Sequence, residues 1–70
     1  MSAYREFRFY SPSHDAEVAR LSMADDGGRE YFAIVVVAAG KGWRERREEA
    51  LTAIDDAVAA GAPPGEVKYA

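Results

Sequence analysis

One run constrains this chain more than any other: Tyr31-Phe32-Ala33-Ile34-Val35-Val36-Val37, inside the stretch from Arg29 to Ala38. It is aromatic and β-branched, the composition of a strand. Alternate residues of a strand share a face, so Phe32, Ile34 and Val36 lie on one side and Tyr31, Val35 and Val37 on the other. Both sets are apolar. A strand wetted on one face alternates apolar with polar residues, so this one is expected at the centre of a sheet with both sides covered. Gly40-Lys41-Gly42 breaks it and opens one long helix, about Trp43 to Ala60. There Trp43, Arg47, Ala50, Leu51, Ile54, Ala57 and Val58 recur at helical spacing, with charged residues opposite. Gly61 falls at the position where a left-handed residue closes many helices, and Pro63-Pro64 prevents continuation.

The remaining segments complete a small architecture. Tyr4 to Tyr10 alternates, with Phe7 and Phe9 on one face and Glu6 and Arg8 on the other beside Tyr4 and Tyr10. That is a half-buried strand, ended by Ser11-Pro12-Ser13. Residues 14–24 admit two readings. As a strand, Glu17 to Met23 runs into Asp25-Asp26-Gly27-Gly28, a turn signal that makes a hairpin with the next strand. As a helix, Ser11 caps, Pro12 takes the first position, and Val18 and Leu21 face inward. Glu66 to Tyr69 can add a short edge strand. The expected fold is one α+β domain over residues 1–70: a three-stranded antiparallel sheet, a β-meander, with one long helix on a single face. Its rival is βαβα, with residues 13–24 helical.

Size matters next. A chain of 70 residues buries only about 60% of its unfolded surface, and a core of this size supplies roughly 3–5 kcal/mol without a staple. Cysteine is absent and there is one histidine, so disulfides and thiolate metal sites are excluded. Association with a second copy or a larger partner remains. The net charge of −3 argues against a general nucleic-acid coat, which is normally basic. Charges stand early in the chain where a signal peptide needs an apolar stretch. The longest apolar run, Tyr31 to Gly40, is about half of what spans a bilayer as a helix. The expectation is a cytoplasmic protein with no membrane contact.

Candidate chemistry is sparse. His14-Asp15 adjoins Ser11 and Ser13, but an acid–base role needs a nucleophile beside the imidazole in a cleft, and these residues begin a loop. Asp25-Asp26-Gly27-Gly28 lacks the alternate carboxylates and distant glutamate of a Ca²⁺ loop. Gly40-Lys41-Gly42 lacks the spacing of a phosphate loop and is followed by Trp43 in place of Ser or Thr. No converging set of titratable groups can be assembled. A non-enzymatic protein without cofactors or metal is expected. The competing class is a metal-assisted hydrolase using Asp25, Asp26 and His14.

The basic cluster Lys41, Arg44, Arg46 and Arg47 is of more interest. It crowds the positive end of the helix dipole, while Asp55 and Asp56 lie near the negative end, an arrangement disfavoured at both ends. An anionic or acidic partner would account for it. So would self-neutralisation, through Lys41–Glu45 and Arg44–Glu48 pairs one helical turn apart. Trp43 is either a lid over the sheet or, with the arginines, a binding hot spot.

Tyr31-Phe32 with its valine run, Trp43 to Leu51, Ala53-Ile54 and the ending Ala60 to Val67 resemble small proteins carried by phages and prophages of high-GC bacteria. Those residues cover about half the chain. The resemblance implies an accessory protein such as an anti-CRISPR inhibitor, compact and non-enzymatic, that occupies a surface of a bacterial defence complex. The meander and Glu-Glu-Ala-Leu helix also resemble HicB antitoxins, whose acidic–glycine segment and DNA-binding extension are missing here. No functional residue carries over from either.

A protein-binding module is therefore expected, blocking or bridging a larger bacterial complex. A nucleic-acid-binding domain is the alternative, using the basic helix start with Tyr4 and Tyr10 for stacking. Candidate binding residues are Lys41, Trp43, Arg44 and Arg47, together with Tyr10, Tyr31, Val35 and Val37. The last four follow from placing the helix on the Phe32 face, which leaves the Tyr31 face bare. A homodimer through that helix-free face, or the Pro63–Tyr69 tail folding across it, would supply its cover.

Overall fold

Two hairpins build the sheet. In the computed structural model, which describes residues 4–37 and 42–69, β1 (Arg5–Ser11) and β2 (Ala16–Ala24) pair antiparallel, residue for residue, from Arg5↔Ser22 to Ser11↔Ala16. Pro12 to Asp15 form the connecting turn, in which His14 N–H donates to the Ser11 carbonyl (3.1 Å) and Asp15 N–H to that of Pro12 (3.2 Å). Asp15 takes the left-handed conformation, φ 50°, which Asp tolerates better than most residues. The hairpin reading of residues 14–24 is the correct one.

β2 then pairs antiparallel with β3 (Glu30–Val36), from Val18↔Val36 to Ala24↔Glu30. Asp25 organises this second turn with its own side chain. Oδ1 accepts from the N–H groups of Gly27 and Arg29, both at 2.9 Å, and Oδ2 from Arg29 Nε at 2.7 Å. Gly28, at φ 80°, supplies the positive φ of a bulged turn. The Arg29 N–H hydrogen bond, with further help from the Arg29 guanidinium and the Gly27 N–H, holds the Asp25 carboxyl below its ordinary value. Asp25 is a turn device.

The helix α1 (Trp43–Ala60) follows. It ends where expected: Gly61 is left-handed at φ 67°, its N–H donates to Val58 O (3.2 Å), and Ala62 N–H donates to Ala57 O (3.0 Å). This is a Schellman closure. The chain then returns as a two-residue strand β4 (Gly65–Glu66), parallel to β3 at its far edge. The strand order is β1-β2-β3-β4, an α+β sheet with the helix on one face.

The helix covers the Tyr31 face, which reverses the placement expected from sequence. Leu21, Met23, Tyr31, Ala33, Val35, Ala50 and Ile54 form the buried cluster, with Trp43, Leu51, Ala57, Val58, Val67 and Tyr69 packed against it. Two causes act together. A parallel strand–helix–strand connection is almost always right-handed, so β4 beyond β3 leaves α1 one face to cross. That face also has room, because Ala33 between Tyr31 and Val35 makes a hollow, and the buried Ala50 on α1 is equally small. Phe32, Ile34 and Val36 on the other side form an unbroken ridge. Among the described residues, β3 is therefore covered on one side only.

A hydrogen bond locks the arrangement: Tyr31 Oη donates to the Ala62 carbonyl at 2.6 Å, tying β3 to the residue after the helix closure. Ile54, fully buried against this layer, is the largest helix side chain in the core. Ile54→Ala should cost about 2–5 kcal/mol, comparable to the whole net stability of ~3–5 kcal/mol for a core this small. Urea unfolding should show most of the two-state transition lost, whereas Thr52→Ala on the exposed face should shift stability by no more than about 0.5 kcal/mol.

Candidate binding surface

Two surfaces stand out, and the sequence candidates Trp43, Arg44 and Arg47 belong to the first. The first is the shallow cleft between β1 and the start of α1, lined by Glu6, Arg8, Trp43, Arg44, Arg47 and Glu48. The backbone of α1 lies over β3 and β2 and not over β1, so side chains alone bridge this gap. Arg47 Nε donates to Glu6 Oε1 at 3.0 Å, and Arg47 also hydrogen-bonds the Tyr4 hydroxyl, its guanidinium 5.2 Å from the Tyr4 ring. Arg8 donates to Glu6 Oε2 at 3.0 Å and lies 5.1 Å from the Trp43 ring. Trp43 is half-buried against the core.

The basic cluster is thus dispersed. Arg46 turns to the edge of β3 and donates to the Val36 carbonyl at 2.8 Å. Arg47 is matched by Glu6, and Arg44 is exposed. The expected Arg44–Glu48 pair is replaced by Arg47–Glu48 at 3.8 Å. Lys41 lies outside the described residues. An anion entering the cleft would have to displace Glu6 from Arg47.

The second surface is the helix-free face of the sheet, and its residues were not the ones singled out. Tyr31 and Val35 are fully buried beneath α1, so neither is available to a partner. Val37 is half-buried and its N–H donates to the Glu17 carbonyl at 2.9 Å. Tyr10, on the helix side of β1, is exposed and donates to Asp15 Oδ1 at 2.5 Å. The free face instead carries three cross-strand rows: Phe9–Val18–Val36, Phe7–Arg20–Ile34 and Arg5–Ser22–Phe32. Phe7 is 68% exposed and Phe9 45%. Arg20 lies at the centre, its guanidinium 4.2 Å from the Phe32 ring and 3.4 Å from Glu30. Val18 and Ser22 are buried between their row neighbours. The signal for this face was legible in the alternation of Phe7 and Phe9; what misled was assigning the helix to the Phe32 side.

The groups considered for catalysis do not converge. His14 Nδ1 is 2.9 Å from Ser11 Oγ and 3.3 Å from Ser13 Oγ, a local contact between the exposed turn and the buried end of β1. Asp25 serves the other turn. Among the described residues, no group of three or more His, Asp or Glu is placed to hold a metal ion. No described helix is long and apolar enough to cross a membrane. No family model matches the chain, and no curated protein or solved structure matches it either.

The Glu6–Arg47 contact has a readable pH signature. Burial pushes the Glu6 carboxyl up, but hydrogen bonds from Arg47 and Arg8 outweigh it and hold the group below its ordinary value. A carboxyl depressed in the fold contributes in full above the unfolded value of about 4.3, and that contribution is lost as pH falls through the folded value. Glu6→Gln should therefore be less stable than the parent chain at neutral pH. The difference in urea midpoint should shrink toward zero as pH is lowered below about 4.

Proposed function

We propose that this chain is a non-catalytic protein-binding module that engages its partner with the helix-free face of the sheet. The observation that carries the reading is the row pattern of that face: exposed Phe7 and Phe9, half-buried Phe32, Ile34 and Val36, and Arg20 stacked at the centre. Contiguous apolar surface of this kind marks interaction sites, and aromatic residues and arginine are the types that dominate binding energy. Arg20 is held flat on Phe32, so little side-chain freedom is lost when a partner covers it. In its sharpest form the partner is a component of a larger bacterial complex, in the cytoplasm, which the chain blocks or bridges in the manner of an anti-CRISPR inhibitor. The cysteine-free sequence is compatible with a reducing compartment.

The nucleic-acid alternative has less behind it. Arg47 is already engaged by Glu6 and Tyr4, Arg46 by Val36, and the net charge is −3. Phosphate contacts would announce themselves in salt dependence.

The test compares three variants, Phe9→Asp, Thr52→Asp and Arg44→Glu, by quantitative affinity purification from host cells. Phe9→Asp places a charge on the free face at a position exposed enough to leave the fold intact, and Thr52→Asp does the same on the outer face of α1. A partner protein co-purifying near stoichiometry should be lost with Phe9→Asp and kept with Thr52→Asp. Equal retention in both, or loss only in Arg44→Glu with a steep salt dependence, would sink the reading.

A further inference from the structure

The two outer edges of the sheet differ in one respect that points to a partner. Val37 N–H donates to the Glu17 carbonyl, and the β2–β3 pairing runs without a break. Backbone groups alternate in direction along a strand. Glu17, Ala19, Leu21 and Met23 therefore turn theirs toward β3, and Val18, Arg20 and Ser22 turn theirs toward β1. Their partners Phe9, Phe7 and Arg5 face inward in the same way. Glu6, Arg8 and Tyr10 are left aiming N–H and C=O out of the sheet.

At the opposite edge the corresponding groups are taken. The outward carbonyls of Phe32, Ile34 and Val36 accept from Val67 N–H (2.7 Å), Tyr69 Oη (3.0 Å) and Arg46 Nη2 (2.8 Å). One edge is capped by the chain's own C-terminal segment and helix. The β1 edge runs for seven residues without a bulge or proline, the kind of edge that templates another strand.

We propose that β1 pairs antiparallel with β1 of a second copy about a two-fold axis at Phe7, joining two four-stranded sheets into one. The sequence of the edge selects this register. Hydrogen bonding requires outward residues to face outward residues, which leaves three registers that overlap over five or more residues of β1. One sets Arg8 against the partner's Arg8, and like charges directly opposite are unfavourable. Another, with its axis at Phe9, sets Arg8 against the partner's Tyr10 and leaves Glu6 without an opposite charge. The third sets Glu6 against the partner's Arg8 and, by symmetry, Arg8 against the partner's Glu6.

That same register treats the free face well. Phe7 meets the partner's Phe7 as a non-hydrogen-bonded pair, the arrangement that brings side chains closest. Arg5 meets the partner's Phe9 on the same face, and on the helix side Tyr4 meets the partner's Tyr10. The most exposed aromatic of the chain thus gains cover on the dyad, and the apolar rows of the two copies become continuous. A foreign peptide would need to reproduce this charge order; a second copy carries it already.

The inference does not rest on the proposed function, and its test uses the purified chain alone. The chain has no cysteine, so single cysteines report the register. In the proposed dimer two residues at position 7 sit roughly 4.5 Å apart at Cα, inside the range of a disulfide. Two at position 9 are separated by about four residues of strand, near 13 Å. Under mild oxidation Phe7→Cys should cross-link roughly tenfold faster than Phe9→Cys. A mixture of Arg5→Cys and Phe9→Cys should cross-link between the two variants. The unmodified chain should sediment at twice the monomer mass at NMR concentrations. A monomer at those concentrations, or equal cross-linking at positions 7 and 9, overturns the proposal.

Discussion

The structure depends on how β3 is enclosed. One edge is bonded to β2, and the other edge gives its carbonyls to Val67, Tyr69 and Arg46. One face is sealed under α1, with Tyr31, Ala33 and Val35 fully buried. A buried backbone needs its polar groups paired, and the donors to this outer edge come from two distant segments, the helix start and the chain after the helix. The helix start, the post-helix segment and the first hairpin are thereby tied to one strand. In a domain with so little core, this cross-linking of distant segments through hydrogen bonds stands where a disulfide or metal would otherwise serve.

Enclosing β3 has a consequence at the other side of the sheet. A single helix above β2 and β3 leaves β1 outside its reach, so among the described residues the first strand and the adjoining Tyr4 meet the helical layer through contacts of Tyr4 and Glu6 with Arg47 and of Arg8 with Trp43. The arginines at the positive end of the helix dipole, which looked misplaced in isolation, are explained in part by this duty. Arg47 holds the outer strand and Arg46 closes the edge of β3. Their placement costs a few tenths of a kcal/mol each against the dipole, and hydrogen bonds to a carboxylate and a buried carbonyl return more than that. The helix-free face and the β1 edge are then the parts of the surface with apolar side chains and backbone groups not used internally.

Much of this was local and therefore legible. The alternation of Tyr4 to Tyr10 and the Asp25–Gly28 turn specify neighbours a few residues apart, as do the apolar stripe of Trp43 to Val58 and the stop at Gly61. Turn chemistry and periodicity decide such relations without reference to the rest of the chain. The hairpin reading of residues 14–24 won over the helical one because Ala16 to Ala24 could bury Leu21 and Met23 against β3 on one side and Val18 on the other. A helix there would have left β1 unpaired.

The side of the sheet on which the helix lies was decided only in three dimensions. β3 is apolar on both faces, so its pattern is symmetric with respect to that choice and carries no instruction about it. The instruction comes from the parallel return of β4, which fixes the crossover, and from the small Ala33 and Ala50 in the cluster between sheet and helix. Tyr31 and Val35 consequently became core, and Phe7, Phe9 and Phe32 became surface. Outside residues 14–24, the sequence by itself determined the elements, their turns and their faces, because those are set by neighbours along the chain. Which face meets the helix, and which is left open, depends on the handedness and packing of segments that lie far apart in it.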